Sequence, residues 1–150
     1  MPQQKPLAVD FSNEDAMKQV LVRSAILSSY KAGWDGIHVE YHRQPNHETL
    51  EHTLMQHTIG LLTQRRPVVL ERVLNGRFQS LRCGWGDLFL APANTAYKSS
   101  CNEETEFVAL GLEPALFTRV AQESIDAHIE IVPQFSISLG SIPRRLRRKM

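Results

Sequence analysis

The chain has 150 residues, of which 42% are hydrophobic and 22% charged, and its formal net charge is +1 at pH 7. These values are typical of one globular domain, which at this length buries roughly 70% of the surface of its unfolded chain, and they exclude fibrous and disordered classes. No apolar run approaches the roughly 20 residues that span a bilayer, and the first six residues do not resemble a secretion signal. We therefore expect a cytoplasmic protein with no membrane partner.

The charge is unevenly distributed along the chain. Residues 139–150 carry five basic side chains and no acid, which leaves residues 1–138 with a net charge of −4. This division predicts a folded domain over 1–138 and a basic, disordered tail over 139–150. Because DNA affinity begins with neutralisation of phosphates by Lys and Arg, the acidic domain predicts no sequence-specific DNA binding by this chain alone.

The first predicted elements are a helix and two strands. Ser12–Asp15 supplies an N-cap and early acids, and a helical apolar face follows at Ala16, Met17, Val20 and Leu21. From Ile37 the apolar residues alternate, which predicts a half-buried strand through Val39 and Tyr41. A second strand is predicted from about His52 to Thr63, with one face formed by Met55, His57, Ile59 and Leu61.

A β-hairpin is the best-defined local prediction. Val68–Leu74 and Arg77–Arg82 flank Asn75-Gly76, and both of these residues tolerate the positive φ that a two-residue hairpin turn requires. The inward face of the first hairpin strand is predicted to include Leu70 and Arg72.

Further strands are predicted near Leu88–Ala91, Thr95–Ser99, Phe107–Leu112 and Ile129–Val132, with an amphipathic helix from Pro114 to Ser124. Seven or eight short strands and one such helix indicate a mainly β fold. We predict a cupin-like antiparallel β-barrel of the jelly-roll type, with one short N-terminal helix and one C-terminal amphipathic helix.

Gly86-Asp87 followed by Pro92 resembles the second sequence motif of cupins. Together with Trp34-Asp35-Gly36-Ile37, Asn75-Gly76-Arg77 and Phe107–Pro114, it makes residues 10 to 137 similar to the N-terminal sensor domain of AraC-type transcription regulators. The resemblance implies a barrel that binds a small-molecule effector and is compatible with a homodimer. In that family a C-terminal domain with two helix-turn-helix units follows, whereas here Pro143 leads into Arg144-Arg145, and we expect no such domain in this chain. A truncated or frame-shifted gene and a genuine short protein are both compatible with this difference.

Cupin enzymes hold a metal with clustered His and a carboxylate, and this pattern is not found here. The chain has no His-x-His pair, Tyr97 stands where the second motif has a ligand His, and Asn94 stands where a Gly is usual. We therefore predict no metal, no cofactor and no catalytic residue. Cys83 and Cys101 have no Cys-x-x-Cys spacing and are predicted to be reduced, small hydrophobic residues.

The predicted ligand site lies inside the barrel, where Tyr41, His57 and Arg72 would be the polar anchors for a hydroxylated or anionic ligand. The alternative is a solid core with Arg72 turned to solvent, because a shift of one residue in register reverses every assignment of face. The leading function is an effector-binding and dimerisation module of an AraC-type regulator. The alternatives are a small metal-dependent cupin enzyme, isomerase-like or dioxygenase-like, and a fragment that only self-associates.

Overall fold

The computed structural model describes residues 5–125 and 134–138. Two six-stranded sheets face each other, and the elements follow in the order β1 Leu7–Val9, β2 Leu27–Ser28, β3 Ile37–Gln44, β4 His47–Glu48, β5 His52–Leu54, β6 His57–Leu62, β7 Val68–Leu74, β8 Arg77–Cys83, β9 Asp87–Ala91, β10 Tyr97–Cys101, β11 Thr105–Leu112, α1 Pro114–Ile125 and β12 Gln134–Ser138. No helix in the described ranges is long and apolar enough to cross a membrane.

The first sheet has the order β1-β5-β10-β7-β8, with β4 also paired to β10, and the second has the order β12-β9-β6-β11-β3-β2. From β5 to β11 the chain passes repeatedly between the two sheets, as in a jelly roll. The predicted mainly β fold class with a helix after the main strands is confirmed. One pairing differs from the antiparallel prediction, since β1 lies parallel to β5.

The predicted hairpin forms from β7 and β8. Leu74 pairs with Arg77, and Asn75 and Gly76 have φ of 50° and 79°. Two consecutive positive φ angles give the turn the twist that the strands need. Asn94 also has a positive φ, of 63°, so the turn after Pro92 keeps its left-handed residue without glycine.

The predicted N-terminal helix is instead a single 3₁₀ turn at Ala16–Gln19. The Asp10 carboxylate accepts hydrogen bonds from the backbone N–H and the hydroxyl of Ser12, at 3.0 and 2.6 Å, and Asp15 is left-handed with φ of 61°. Because of these contacts, the segment whose sequence resembles a helix N-cap forms a turn instead. The apolar residues of the predicted face are nevertheless buried, at Ala16, Met17 and Val20.

The strand predicted from His52 to Thr63 is two strands in different sheets. The chain crosses between β5 and β6 at Met55 and Gln56, and the Gln56 side chain is only 1% exposed. The strand predicted at Ile129–Val132 and the predicted tail 139–150 lie outside the described residues, so the predicted domain boundary after residue 138 stays a prediction.

Helix α1 begins at Pro114 and covers part of the outer face of the second sheet. His57 of β6 packs edge-on against Phe117, with ring centroids 5.4 Å apart. The turn before β3 also approaches the helix, since a Cβ on Gly36 would lie 2.9 Å from Leu116 Cδ2.

Substituting Gly36 with alanine should lower the free energy of unfolding by about 2–3 kcal/mol, because strain at φ of 77° adds to overpacking against Leu116. Gly33→Ala is the matched control, since Gly33 has φ of 69° and open space around its Cα, and it should cost only about 1–2 kcal/mol. Urea unfolding of both variants checks this difference. Equal losses would show that α1 does not pack on the turn.

Candidate ligand-binding site

A cavity of about 140 Å³ lies between the two sheets. The inner faces of both sheets form its walls, and residues 7–21, which we call the N-terminal segment, contribute to it through Phe11, Met17, Val20 and Leu21. The apolar wall is completed by Leu54, Leu62, Leu70, Phe89, Phe107 and Ala109. A concave, mostly apolar space with a few polar groups is typical of a small-molecule site.

The cavity lies between the two buried hydrophobic clusters of the described residues. The first cluster contains Val9, Phe11, Met17 and Ala109, and the second contains Leu62, Val68, Cys83, Phe89 and Cys101. Phe107 packs against both. The cavity is therefore bordered by well-packed regions on both sides.

Arg72 carries the permanent positive charge of the cavity wall. Its side chain is on the inward face of β7 and the residue is 3% exposed. The guanidinium carbon lies 4.4 Å from the ring centroid of Phe89 and 4.6 Å from that of Tyr97, and Nε donates a hydrogen bond to the Tyr97 hydroxyl at 3.2 Å. Two aromatic rings and a hydroxyl thus orient a buried cation beside the cavity.

Two imidazoles of the wall have the same tautomer. Nδ1 of His47 lies 2.7 Å from the Pro45 carbonyl oxygen, and Nδ1 of His52 lies 2.8 Å from the Leu50 carbonyl oxygen. Since a carbonyl only accepts, both Nδ1 atoms carry hydrogen. Burial lowers the pKa of His52, which therefore stays neutral at pH 7.

The hydroxyl groups of the wall differ in their hydrogen bonding. Thr49 Oγ1 accepts from the Ser99 backbone N–H at 2.9 Å. Thr105 is 4% exposed, and its hydroxyl has no hydrogen-bond partner among the described residues. A buried polar group of this kind is uncommon in a native structure and indicates a place for a further polar partner.

The structure places one of the three predicted site residues at the cavity. Arg72 lines it, whereas Tyr41 and His57 are absent from its described wall. On β3 and β6, the residues that face inward lie one position away from the residues that the sequence predicted to face inward. The residues that face inward are His42 and Gln44 on β3, and Thr58, Gly60 and Leu62 on β6.

Tyr41 and His57 have partners of their own outside the cavity. Tyr41 lies beside the Glu106 carboxylate, which raises the pKa of the Tyr41 hydroxyl. His57 Nδ1 accepts a hydrogen bond from the Ala93 backbone N–H at 2.9 Å, and burial lowers the pKa of His57. The His57 ring therefore joins the β9–β10 loop to α1.

Sequence reasoning missed Tyr97, His52 and Thr105 as site residues. The sequence motif identifies Tyr97 only as the residue at a metal-ligand position, although its place on the short strand after Pro92 could have indicated an inward-facing side chain. His52 stacks edge-on against Tyr97, with ring centroids 5.4 Å apart. No alternation in the polar segment around His52 indicated that its side chain points inward.

Cys83 and Cys101 are free and buried, as predicted. Burial raises the pKa of the Cys83 thiol to about 11 and also raises that of Cys101. Both side chains are therefore protonated thiols at pH 7, without the lowered pKa of a reactive cysteine. Within the described residues, no group of three or more His, Cys, Asp or Glu side chains could hold a metal ion.

The chain matches no protein-family model and no curated protein. Among solved structures it is similar to a variant of oxalate decarboxylase from Bacillus subtilis, with a TM-score of 0.47 and 15% identity over 59% of this chain and 24% of that one. The chain is also similar to a putative ethanolamine utilization protein from Salmonella typhimurium, with a TM-score of 0.46 and 11% identity over 60% of this chain and 67% of that one. For a cupin-2 domain containing protein from Shewanella frigidimarina, the TM-score is 0.44 and the identity 11%, over 60% of this chain and 83% of that one. The chain spans about a quarter of the oxalate decarboxylase chain.

Proposed function

We propose that this chain is a small-molecule-binding module and that it acts as the effector-sensing part of an AraC-type transcription regulator. The observation that carries the binding function is the cavity of about 140 Å³ between the sheets, with its apolar wall and its buried guanidinium. The regulator assignment is supported by the sequence resemblance over residues 10 to 137.

The connection from the cavity to α1 supports a sensing role. β11 contributes Thr105, Phe107 and Ala109 to the cavity wall, and the same strand runs through Glu113 directly into α1. A ligand that contacts this wall would therefore contact β11, the strand that leads into α1. We propose that α1 conveys occupancy to a partner surface, with a second copy of the chain as the partner.

We also propose that the module is not an enzyme. Among the described residues of the cavity wall there is no Asp or Glu to serve as a general base or as a carboxylate ligand of a metal. Elemental analysis of the purified chain tests this proposal. One tightly held transition metal per chain would contradict it and favour the metal-dependent enzyme.

The binding function is tested by thermal unfolding of the full chain with benzoate, benzyl alcohol or L-arabinose at millimolar concentration. We expect a saturable rise in Tm with at least one of these probes, since a ligand that binds only the folded state stabilises it. Ala109→Leu, which fills part of the cavity, should remove the rise.

Ala8→Leu is the matched control, because Ala8 is exposed on β1 and the same carbon atoms are added outside the cavity. The control should keep the full rise in Tm. A folded Ala109→Leu protein that responds as the parent chain does would place binding elsewhere, and no response to any probe would contradict the binding function.

A further inference from the structure

Building on the proposed binding function, we propose that the ligand is an uncharged molecule about the size of one six-membered ring, such as a monocyclic arene with one small polar substituent. The apolar body of this ligand binds over Gly60 and Ala109, whose small size leaves space for it in the cavity.

The size and lining of the cavity define the apolar body of the ligand. A space of about 140 Å³ is close to the roughly 150 Å³ apolar cavity that holds a benzene molecule in another protein. The apolar wall around this space is formed by Leu54, Leu62, Leu70, Phe89 and Phe107. A single ring makes contact with these side chains on several sides, and the burial of its surface supplies the binding free energy.

Gly60 and Ala109 are neighbours in the cavity wall, because they are paired in register on β6 and β11. On its other side Gly60 pairs with Phe89 of β9, which also lines the cavity. Among the described residues, a Cβ on Gly60 would meet only Phe89, at 3.7 and 3.8 Å, which is ordinary van der Waals contact.

The backbone does not require glycine at position 60. Gly60 lies within a strand and is not among the glycines with positive φ. A glycine inside a strand weakens the strand, and one reason for it is the close approach of a ligand to the backbone. The missing side chain at Gly60 therefore supports a ligand that packs against β6 at this point.

Polar groups of the wall are engaged within the protein, which favours an uncharged ligand. Thr49 Oγ1 accepts from the Ser99 backbone N–H at 2.9 Å, and Nδ1 of His52 donates to a backbone carbonyl at 2.8 Å. Arg72 also has contacts of its own, since Nε donates to the Tyr97 hydroxyl at 3.2 Å. A charged ligand, or one with many hydroxyl groups, would lose its hydration without gaining enough partners in return.

The Thr105 hydroxyl provides for one polar substituent. Thr105 lines the cavity and is 4% exposed, and its hydroxyl has no hydrogen-bond partner among the described residues. One hydroxyl group on the ligand can serve as that partner.

Calorimetric titration of the full chain with benzyl alcohol, benzoate and L-arabinose tests the proposal. We expect benzyl alcohol to bind at least about 10-fold more tightly than either of the others, because neither a carboxylate nor a set of hydroxyl groups is compensated in this wall. Gly60→Ala should weaken benzyl alcohol binding by about 10-fold, because the added methyl group takes space from the ring.

Gly84→Ala is the matched control. Gly84 also lacks a positive φ, its added Cβ would lie in ordinary contact at 3.5 Å from Pro67 Cα, and it is not among the residues that line the cavity. This control should leave the affinity for benzyl alcohol unchanged.

Three results would overturn the proposal in different ways. Benzoate or L-arabinose binding as tightly as benzyl alcohol would reject the uncharged apolar class while the binding function stands. Unchanged benzyl alcohol affinity in a folded Gly60→Ala protein would reject the position over Gly60. If that variant does not fold, Ala109→Val replaces it, with the same loss expected. Failure of all three probes to bind would contradict the proposed function itself.

Discussion

Replacing Phe89 with alanine is expected to lower the free energy of unfolding by about 3–5 kcal/mol. Phe89 is 8% exposed, belongs to the second hydrophobic cluster and lies against the Arg72 guanidinium at 4.4 Å. Its removal enlarges the cavity that it lines and uncovers one side of a buried cation. Because a small domain is stabilised by only about 5–15 kcal/mol in total, the variant should be close to unfolding at 37 °C.

The chain contains a matched control for this substitution. Phe78 lies on β8 and is 63% exposed, so Phe78→Ala should change the free energy of unfolding by less than about 1 kcal/mol. Urea unfolding followed by tryptophan fluorescence measures both variants. Similar losses at the two positions would contradict the inward placement of Phe89 and the cavity wall that it forms.

The isosteric substitution Gln56→Glu is expected to lower the free energy of unfolding by about 3–5 kcal/mol at pH 7. Gln56 Nε2 donates to Asp10 Oδ1 at 2.8 Å and to Glu113 Oε1 at 2.9 Å, and its Oε1 accepts from the Phe11 backbone N–H at 2.8 Å. The change removes the donor between two carboxylates and adds a third negative charge at a position only 1% exposed. The N-terminal segment and the start of α1 would lose their common hydrogen-bond partner.

The pH dependence of this loss identifies its cause. Burial and the two neighbouring carboxylates raise the pKa of the introduced carboxyl in the folded state above its unfolded value of about 4.3. The folded variant then holds its proton more tightly, so the penalty is complete above the folded pKa and shrinks as the pH falls towards the unfolded value. Urea titrations at pH 7 and pH 5 should therefore give a smaller loss at pH 5.

Gln19→Glu is the control for Gln56→Glu, because Gln19 is exposed and gains the same charge in the N-terminal segment. Gln19→Glu should lower the free energy of unfolding by less than about 0.5 kcal/mol at either pH. A loss from Gln56→Glu that is no greater than this would show that Gln56 does not connect Asp10 to Glu113.

The sequence predicted the local elements that depend on neighbouring residues. The Asn75-Gly76 hairpin, the strand predicted at Leu88–Ala91 and observed at Asp87–Ala91, and the helix from Pro114 are confirmed, since turn chemistry and the first helical position are decided within a few residues. The N-terminal helix was wrong because Asp10 hydrogen-bonds Ser12 and directs the chain into a turn. A side-chain contact of that kind leaves no signature in hydrophobic periodicity.

The site was predicted less completely than the fold. Arg72 was assigned correctly to the inner face, because Leu70 and Arg72 lie on a strand whose register is set by a two-residue turn. Tyr41 and His57 were assigned to the inside because apolar residues alternate with them, but the outer face of their sheet is also apolar and is partly covered by α1. Where both faces of a sheet are apolar, alternation cannot distinguish the inside from the outside.

The sequence by itself determined that the fold is mainly β, where its central hairpin turns and that a helix follows the main strands, because composition, periodicity and turn residues act locally. Only the tertiary structure decided which sheet faces enclose the cavity, that Phe89 and Tyr97 lie against Arg72, and that Gln56 connects Asp10 to Glu113. These contacts join residues up to 57 positions apart in the chain. These contacts form only when the two sheets pack together. That packing is determined by side-chain volumes and hydrogen bonds in many parts of the chain at once.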